Sequence, residues 1–286
     1  MTNTTVKQIA DYILQEIKPL YPEQETKAIT FRIVQHILNF SQSEIYLKSE
    51  TNVPKSAVLE IEKIVVALKK FEPLQYILGE TSFYGLTFMV NKNVLIPRPE
   101  TEELVDWILK ENGKAPLKAI DLGTGSGCIA ASIACNRPNW GMLAADISQE
   151  ALDLARQNAL LNNAQVSFIM EDMLNFSARL LNQQFNLIIS NPPYVTDDQK
   201  EEMLPNVLEY EPHIALFAPG LDSLVFYRKI AAFASTNLDT GGYVYLEINE
   251  AFPEETSEIF KKEGFETILK KDINGKYRML KAFRND

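Results

Sequence analysis

The sequence predicts an α/β protein in which a mostly parallel sheet with helices on both faces follows a helical bundle. Two observations support this fold class. From residue 6 to about residue 68, apolar residues recur at helical spacing. From about residue 100 onward, short apolar runs alternate with longer helical patterns, an arrangement typical of parallel strands connected by helices.

The N-terminal helices are indicated by apolar positions three or four residues apart. These positions are Val6, Ile9, Ile13 and Ile17, then Ile29, Ile33, Val34, Ile37 and Leu38, then Val58, Ile61, Ile64, Val65 and Leu68. Pro22 and Pro54 stand where helices would begin, and Pro73 follows the last one, in keeping with the exclusion of proline from helix interiors. We expect a helical domain over residues 1–75.

Residues 76–92 have a different pattern and predict a β-hairpin that links two domains. Gly79, Gly85 and Asn91 interrupt short runs of strand-forming residues. A chain of 286 residues also exceeds the usual size of a single domain. We therefore expect a helical domain, a hairpin linker and a larger domain over residues 93–286.

The larger domain is predicted to alternate strands and helices. Strands are expected at 118–121, 141–146, 165–170, 185–190 and 243–248, and helices at 100–111, 128–136, 149–161, 223–238 and 254–262. Two last runs, 265–270 and 277–283, are joined across Asn274-Gly275. This dipeptide favours the type I′ turn of a tight hairpin, so the last strand is expected to be antiparallel to its neighbour.

Composition narrows the range of partners. The net charge is −10, and the chain lacks the clustered Lys and Arg residues that bind a nucleic-acid backbone. Two cysteines, Cys128 and Cys135, support neither a disulfide framework nor a zinc site. The two histidines, His36 and His213, have no neighbouring second ligand, so no metal is expected. Without a signal-peptide pattern or a membrane-spanning apolar run, we expect a cytoplasmic protein that does not bind membranes.

A glycine-rich segment connects the first strand of the larger domain to the next helix. It comprises Gly123, Thr124, Gly125, Ser126 and Gly127. Glycines at such a turn let the backbone approach a ligand closely, and the spacing differs from the Gly-x-Gly-x-x-Gly of dehydrogenases. The segment predicts binding of a dinucleotide or an S-adenosyl group, and a tight turn without a ligand is the structural alternative.

Residues at the ends of the next two strands extend this predicted cofactor site. Asp146 ends the strand about twenty residues after the glycine segment, where a carboxylate accepts hydrogen bonds from ribose hydroxyls. A helix N-cap is the alternative role for Asp146. Asp172 and Met173 follow the next strand and are expected beside an adenine ring, although core packing explains Met173 equally well.

The most specific motif is Asn191-Pro192-Pro193-Tyr194, the acceptor loop, which follows the apolar strand 185–190. Ligands of open parallel sheets collect at the carboxyl ends of strands, so this loop and the glycine segment are expected to face one crevice. The Asn191 side-chain oxygen and the Pro192 carbonyl suit the two N–H groups of a planar amide or amine, which must be oriented. The prolines fix the loop and Tyr194 offers a flat face for stacking. An ordinary proline-rich turn is the alternative.

With these motifs the chain resembles the HemK/PrmC family of protein glutamine N5-methyltransferases over nearly its whole length. Four further segments carry the resemblance: Gln75-Tyr76-Ile77-Leu78-Gly79, Phe83-Tyr84-Gly85, Ile96-Pro97-Arg98-Pro99-Glu100-Thr101-Glu102 and Glu211-Pro212-His213-Ile214-Ala215-Leu216. The resemblance implies a seven-stranded Rossmann-like S-adenosylmethionine methyltransferase fold with an N-terminal helical-bundle domain that docks the substrate. It further implies direct methyl transfer to the glutamine amide of the Gly-Gly-Gln motif in peptide chain release factors.

The resemblance also implies roles for individual residues of this chain. Residues 123–127 and Asp146 would hold S-adenosylmethionine, and we also expect Asp172, Met173 and Asn191 at the cofactor. Asn191, Pro192, Pro193 and Tyr194 would hold the glutamine, and Asn191, Pro192 and Tyr194 would be catalytic. Arg98, Glu100 and Thr101 resemble the wall of the family's active site, where Arg98 and Glu100 are expected to bind the substrate. Residues 98–103 also suit the start of a helix. Met173 stands where many relatives have an aromatic residue.

Three other functions compete with this interpretation. An N6-adenine or exocyclic-amine nucleic-acid methyltransferase uses a similar loop for a flipped base, but the acidic charge and the short helical domain argue against it. A non-catalytic S-adenosylmethionine-binding module has no need of an acceptor loop, and a nicotinamide dehydrogenase has another glycine spacing. We expect release factors as protein substrates, no nucleic-acid substrate, and a monomer.

Overall fold

The computed structural model describes residues 4–196, 199–200, 203–218, 220 and 222–285. The chain divides into two compact units, one formed by Met1–Gly79 with Pro205–Tyr210 and the other by Glu80–Leu204 with Glu211–Asp286. No described helix is both long and apolar enough to cross a membrane.

The first unit is helical. Its helices are α1 (Val6–Ile17), α2 (Glu23–Leu38), α3 (Gln42–Leu47), α4 (Lys55–Leu68), α5 (Leu74–Leu78) and the later α10 (Pro205–Leu208). Thr5 forms a capping box with Gln8 at the start of α1, which satisfies two backbone donors of the first turn. The predicted periodic positions form one core, with Ile13, Ile33 and Ile61 fully buried. The periodicity did not predict two short helices, α3 and the α5 that Pro73 precedes.

The second unit contains the predicted α/β sheet. Its strands are β1 (Glu80–Phe83), β2 (Leu86–Met89), β3 (Lys118–Leu122), β4 (Gly141–Asp146), β5 (Val166–Met170), β6 (Phe185–Ser190), β7 (Leu238–Glu247), β8 (Glu266–Lys271) and β9 (Tyr277–Phe283). Its helices are α6 (Pro99–Glu111), α7 (Cys128–Asn136), α8 (Gln149–Leu161), α9 (Ala178–Leu181), α11 (His213–Leu216), α12 (Val225–Asn237) and α13 (Pro253–Lys262).

Seven of these strands form one sheet in the order β5-β4-β3-β6-β7-β9-β8. The pairs β3·β4, β4·β5, β3·β6 and β6·β7 are parallel, and β9 is antiparallel to both β7 and β8. The fold class and the antiparallel last strand are thereby confirmed. Strand order reverses between β3 and β6, which places the carboxyl ends of these two strands at the point where open sheets bind ligands.

Both faces of the sheet are covered by apolar cores. Neighbouring residues of one strand belong to opposite cores, as the period of two requires: Ile188 packs in one, and Leu187 and Ile189 in the other. The first core includes residues of α6, α7 and the β1–β2 hairpin, and the second includes residues of α9, α12 and α13.

The two hairpins of the second unit have different turns, and only the second differs from the turn predicted for it. The turn between β1 and β2 has two residues, Tyr84 and Gly85, with φ values of +48° and +75°, which is the positive-φ pair of a type I′ turn. At Asn274-Gly275 only Gly275 has a positive φ, so the predicted type I′ turn there is wrong. Asp272 instead accepts backbone hydrogen bonds from Asn274 and Lys276 and supports a longer loop.

Candidate active site

A cavity of about 470 Å³ lies in the second unit at the carboxyl ends of β3, β4 and β6. Its wall consists of the segment before α6, the glycine segment, the ends of β4 and β5, the acceptor loop and residues 213–218. The volume lies within the range of small-molecule and cofactor sites. The glycine segment and the acceptor loop therefore face one crevice.

Most of the residues predicted for the site line this cavity. They are Arg98, Gly123, Thr124, Gly125, Ser126, Asp146, Asp172, Met173, Asn191 and Pro193, together with Thr101. Four other predicted residues, Glu100, Gly127, Pro192 and Tyr194, are not part of the lining although the structure describes them. Pro192 is buried, and Gly127 is the residue immediately before α7.

The glycine segment is held by backbone hydrogen bonds and by one carboxylate. The backbone N–H groups of Gly123 and Thr124 donate to the carbonyl of Ala145 at 2.8 and 2.9 Å, and that of Gly125 donates to the Asp146 carboxylate at 2.8 Å. A Cβ on Gly125 would meet no atom within 4 Å, so this backbone faces open space. By contrast, a Cβ on Gly127 would lie 3.0 Å from the Cβ of Ala155, because α8 packs closely there.

Two carboxyl groups contact the segment, the fully buried Asp121 and the half-buried Asp146. Asp121 accepts a hydrogen bond from the Thr124 hydroxyl at 2.6 Å, and burial raises the pKa of Asp121 to about 7. Asp146 also accepts a backbone hydrogen bond from Ser148 at 3.0 Å, and burial likewise raises its pKa. An ionised carboxylate accepts up to about four hydrogen bonds. Asp146 thus orders the loop and retains capacity to bind a ligand.

The residues after β5 form a turn beside the glycine segment. The Asp172 carboxylate accepts hydrogen bonds from the backbone of Leu174 and the side chain of Asn175, at 2.8 and 2.9 Å. Met173 lies against Gly123, where any added Cβ would meet the methionine methyl carbon at 3.1 Å. Met173 also packs against the second core. It therefore has both of the environments considered for it, the cavity wall and the core.

The acceptor loop is joined to α6 and β7 through the Glu247 network, a set of hydrogen bonds centred on the buried Glu247 carboxylate. The Asn191 side-chain nitrogen donates to the Thr101 hydroxyl oxygen at 3.2 Å, and that hydroxyl donates to Glu247 at 2.6 Å. The Tyr194 hydroxyl donates to the other Glu247 oxygen at 2.9 Å. The backbone carbonyl of Tyr194 accepts from Asn249 at 2.9 Å. Tyr194 is thus held at both its hydroxyl and its carbonyl and is not part of the cavity lining, so the predicted stacking stays a prediction.

The electrostatic environment of Glu247 reflects its depth. Burial has the largest effect on the pKa of Glu247 and raises it. The hydrogen bonds from Thr101 and Tyr194 lower this pKa. Arg278 lowers it and Glu100 raises it, both to a smaller extent. Burial beside this carboxylate also raises the pKa of Tyr194 well above its usual value. Tyr194 is thus a neutral hydrogen-bond donor.

Arg98 is bound to a buried carboxylate of the 211–218 segment. Its guanidinium donates to Glu211 at 2.5 Å, and the second Glu211 oxygen accepts the backbone N–H of Ile96 at 3.2 Å. The Glu211 side chain is 1% exposed whereas that of Arg98 is 32% exposed. Arg98 therefore positions the segment before α6, and it also lines the cavity.

Three residues that hold the walls of the site were not predicted from the sequence: Glu211, Glu247 and Asn249. Glu211 begins one of the segments that carry the family resemblance, but nothing local assigned it a partner. Glu247 was detectable, since it ends an apolar strand in the same way as Asp146 does. Within the described ranges, no group of three or more His, Cys, Asp or Glu side chains is arranged to hold a metal ion.

Known proteins resemble the chain at the level of both sequence and fold. Residues 101–231 match the family described as methyltransferase small domain, and residues 13–79 match the PrmC N-terminal domain. The release factor glutamine methyltransferase of Flavobacterium psychrophilum is 45% identical over 97% of this chain and 98% of its own. That of Bacteroides thetaiotaomicron is 41% identical over 98% of this chain and its whole length. The chain belongs to the release factor glutamine methyltransferase family.

A solved structure of a methyltransferase has a fold similar to that of this chain. A methyltransferase from Pyrococcus furiosus superposes with a TM-score of 0.53 at 20% identity, over 72% of this chain and 92% of that chain. The methyltransferase family makes S-adenosylmethionine the cofactor. The residues of the cavity suit it, since the carboxylates of Asp146 and Asp172 complement a ligand with a positive net charge, and Gly125 presents backbone that no side chain covers.

Proposed function

We propose that this protein transfers a methyl group from S-adenosylmethionine to the side-chain amide nitrogen, N5, of the glutamine in the Gly-Gly-Gln motif of peptide chain release factors. The observation that carries the proposal is the position of Asn191 and Pro193 in the wall of the same cavity as the glycine segment. The release factor glutamine methyltransferases that match nearly the full chain support the choice of substrate.

When bound, S-adenosylmethionine would supply an electrophilic methyl group on a sulfonium: the new N–C bond would form as the S–C bond breaks, leaving a neutral thioether, and the amide nitrogen would release one of its two protons to water. In the proposal, residues 123–127 and Asp146 hold this cofactor, with Asp172 and Met173 forming the adjoining wall. Asp146 contributes by keeping the N–H of Gly125 in place, and by offering its remaining lone pairs to hydroxyl groups. The carboxylates also favour a cationic ligand over its neutral product.

The amide of glutamine is a weak nucleophile because its nitrogen lone pair is delocalised into the carbonyl. Catalysis by this chain is therefore chiefly orientation, which accounts for a large share of a reaction barrier when the geometry is fixed beforehand. We assign the two N–H groups of the amide to the Asn191 side-chain oxygen and the Pro192 carbonyl. Pro192 and Pro193 hold the loop backbone, since each fixes its own φ.

In this proposal Tyr194 does not stack on the substrate, as its ring was expected to do. Its hydroxyl and its carbonyl are bound by Glu247 and Asn249, so it anchors the loop. The helical unit remains our candidate for docking the release factor. A cytoplasmic location, where translation terminates, and a monomeric state also belong to the proposal.

The proposal is tested by incubating the protein with S-adenosylmethionine and a purified bacterial release factor, and mapping the added methyl group by mass spectrometry. We expect one methyl group on the glutamine of Gly-Gly-Gln. A release factor in which this glutamine is replaced by glutamate is the control and should stay unmodified. Labelling of DNA or RNA without labelling of the release factor would favour the exocyclic-amine alternative and overturn the proposal.

A further inference from the structure

The Asn191 amide has two chemically opposite ends, and only one of them suits the proposed reaction. Its oxygen accepts hydrogen bonds, as an amide substrate requires, whereas its NH₂ group donates them. The two ends are similar in size, so shape alone does not select between them. Some neighbouring group must hold the NH₂ end away from the substrate.

Thr101 and Glu247 provide that selection. The Glu247 oxygen lies 2.6 Å from the Thr101 hydroxyl oxygen, and an ionised carboxylate only accepts, so the single hydroxyl proton is committed to Glu247. The hydroxyl oxygen then has only lone pairs to offer Asn191, 3.2 Å away. Asn191 must therefore direct its nitrogen towards Thr101 and its oxygen to the other side.

The surroundings of Glu247 keep this direction fixed. Its second oxygen accepts from the Tyr194 hydroxyl at 2.9 Å, so both oxygens accept from hydroxyl groups. Thr101 and Glu247 are each only 2% exposed, which shields their hydrogen bond from exchange with water. Thr101 and Asn191 both line the cavity, whereas the buried Glu247 is not part of its lining.

We infer that Thr101 and Glu247 are positioning residues that orient the Asn191 side-chain oxygen towards the methyl acceptor. The inference rests on the proposed function for its catalytic consequence, and on the hydrogen bonds alone for the orientation of Asn191. Neither residue touches the substrate in this account. Each acts by fixing the direction of a hydrogen bond made by another residue.

The kinetic test compares Thr101→Val, which removes the hydroxyl at nearly constant shape, with Thr101→Ser, which keeps it. In the valine variant Asn191 loses the acceptor that selects its orientation, so kcat should fall roughly tenfold to a hundredfold, the range for a misplaced catalytic contact. The dissociation constant of S-adenosylmethionine should stay at the wild-type value. Thr101→Ser should restore most of kcat.

The matched control is Thr256→Val, the same substitution at a threonine in α13 that is equally buried. The Thr256 hydroxyl donates to the carbonyl of Phe252 at 2.8 Å and does not line the cavity. Its loss should leave kcat unchanged, so a general effect of deleting a buried hydroxyl is separated from an effect on Asn191. A valine variant at Thr101 with wild-type kcat, or a serine variant as impaired as the valine variant, would overturn the inference.

A measurement without turnover distinguishes this inference from the proposed function. The side-chain NH₂ signal of Asn191 in ¹⁵N-labelled protein is assigned by its disappearance in Asn191→Ala. We expect slow hydrogen exchange for this group in the wild-type protein and faster exchange in Thr101→Val. Fast exchange in the wild-type protein would overturn the orientation even if Thr101→Val fails to fold. If no release factor is methylated but exchange is slow, the proposed function fails and the orientation of Asn191 stands.

Discussion

Replacing Asp146 with asparagine tests the cofactor site with almost no change of shape. Both carboxylate oxygens of Asp146 accept backbone N–H groups, from Gly125 at 2.8 Å and from Ser148 at 3.0 Å. Asparagine has one accepting oxygen, so its NH₂ group would face one of the two backbone donors. At least one hydrogen bond to a charged group is lost, together with the acceptors proposed for the cofactor.

The expected loss of cofactor affinity follows from the number of hydrogen bonds that the substitution removes. A hydrogen bond to a charged group contributes about 1.5–3 kcal/mol, and each 1.4 kcal/mol corresponds to about a factor of ten in a dissociation constant. We therefore expect Asp146→Asn to weaken S-adenosylmethionine binding about tenfold to a hundredfold. The lost hydrogen bonds weaken cofactor binding because the glycine segment must be ordered to bind the cofactor.

Isothermal titration calorimetry of S-adenosylmethionine and its demethylated product measures this directly. Asp153→Asn is the control, because it makes the same change of charge at an exposed residue of α8 that binds Arg156 and does not line the cavity. If Asp146→Asn binds the cofactor within about threefold of the wild-type affinity, the role assigned to Asp146 is wrong. Equal losses in both variants would instead indicate an effect of net charge.

Three further predictions concern turnover, stability and pH. Asn191→Ala should abolish methylation and leave cofactor affinity nearly unchanged by calorimetry, whereas a large loss of affinity would contradict the separate roles of the two loops. Gly127→Ala should lower the free energy of unfolding in urea by about 1–3 kcal/mol, because φ is +79° and Ala155 lies against the new Cβ; an unchanged midpoint would disprove this. At saturating cofactor, kcat should fall on acidification as Glu247 gains a proton and begins to donate to Thr101. Because burial raises the pKa of Glu247, the fall in kcat should start at higher pH than the pKa of an ordinary glutamate would give. The Glu247→Gln variant should have a low kcat that does not fall further on acidification. The same fall in that variant would refute the role of Glu247 in the pH dependence.

The regular elements were predictable because their periodicity is local. The bounds of α7 and β6 agree with the predicted 128–136 and 185–190. The start of β7 at Leu238 was not predicted, because the pair Gly241-Gly242 is typical of a loop. A Cβ on Gly242 would lie 2.8 Å from the carbonyl oxygen of Asn186, so this glycine permits close approach of two paired strands near an irregularity in their register.

The site was predictable only as far as its motifs extend along the chain. Asn191 and the glycine segment are recognisable by their order and spacing, whereas the groups that hold them are distant in sequence. Glu247 is 146 positions from Thr101, and Glu211 is 113 positions from Arg98. No periodicity or spacing connects such pairs, because the sheet order and the burial that bring them together are properties of the folded chain.

The anchoring of Tyr194 determines where flexibility remains when the reactive complex forms. One strand end holds this residue twice, through Glu247 at its hydroxyl and Asn249 at its carbonyl. A loop fixed in this way loses little conformational entropy on binding. In the proposed reaction most of the ordering therefore takes place in the glycine-rich segment of the release factor. This segment loses conformational entropy when its glutamine is placed against the fixed loop.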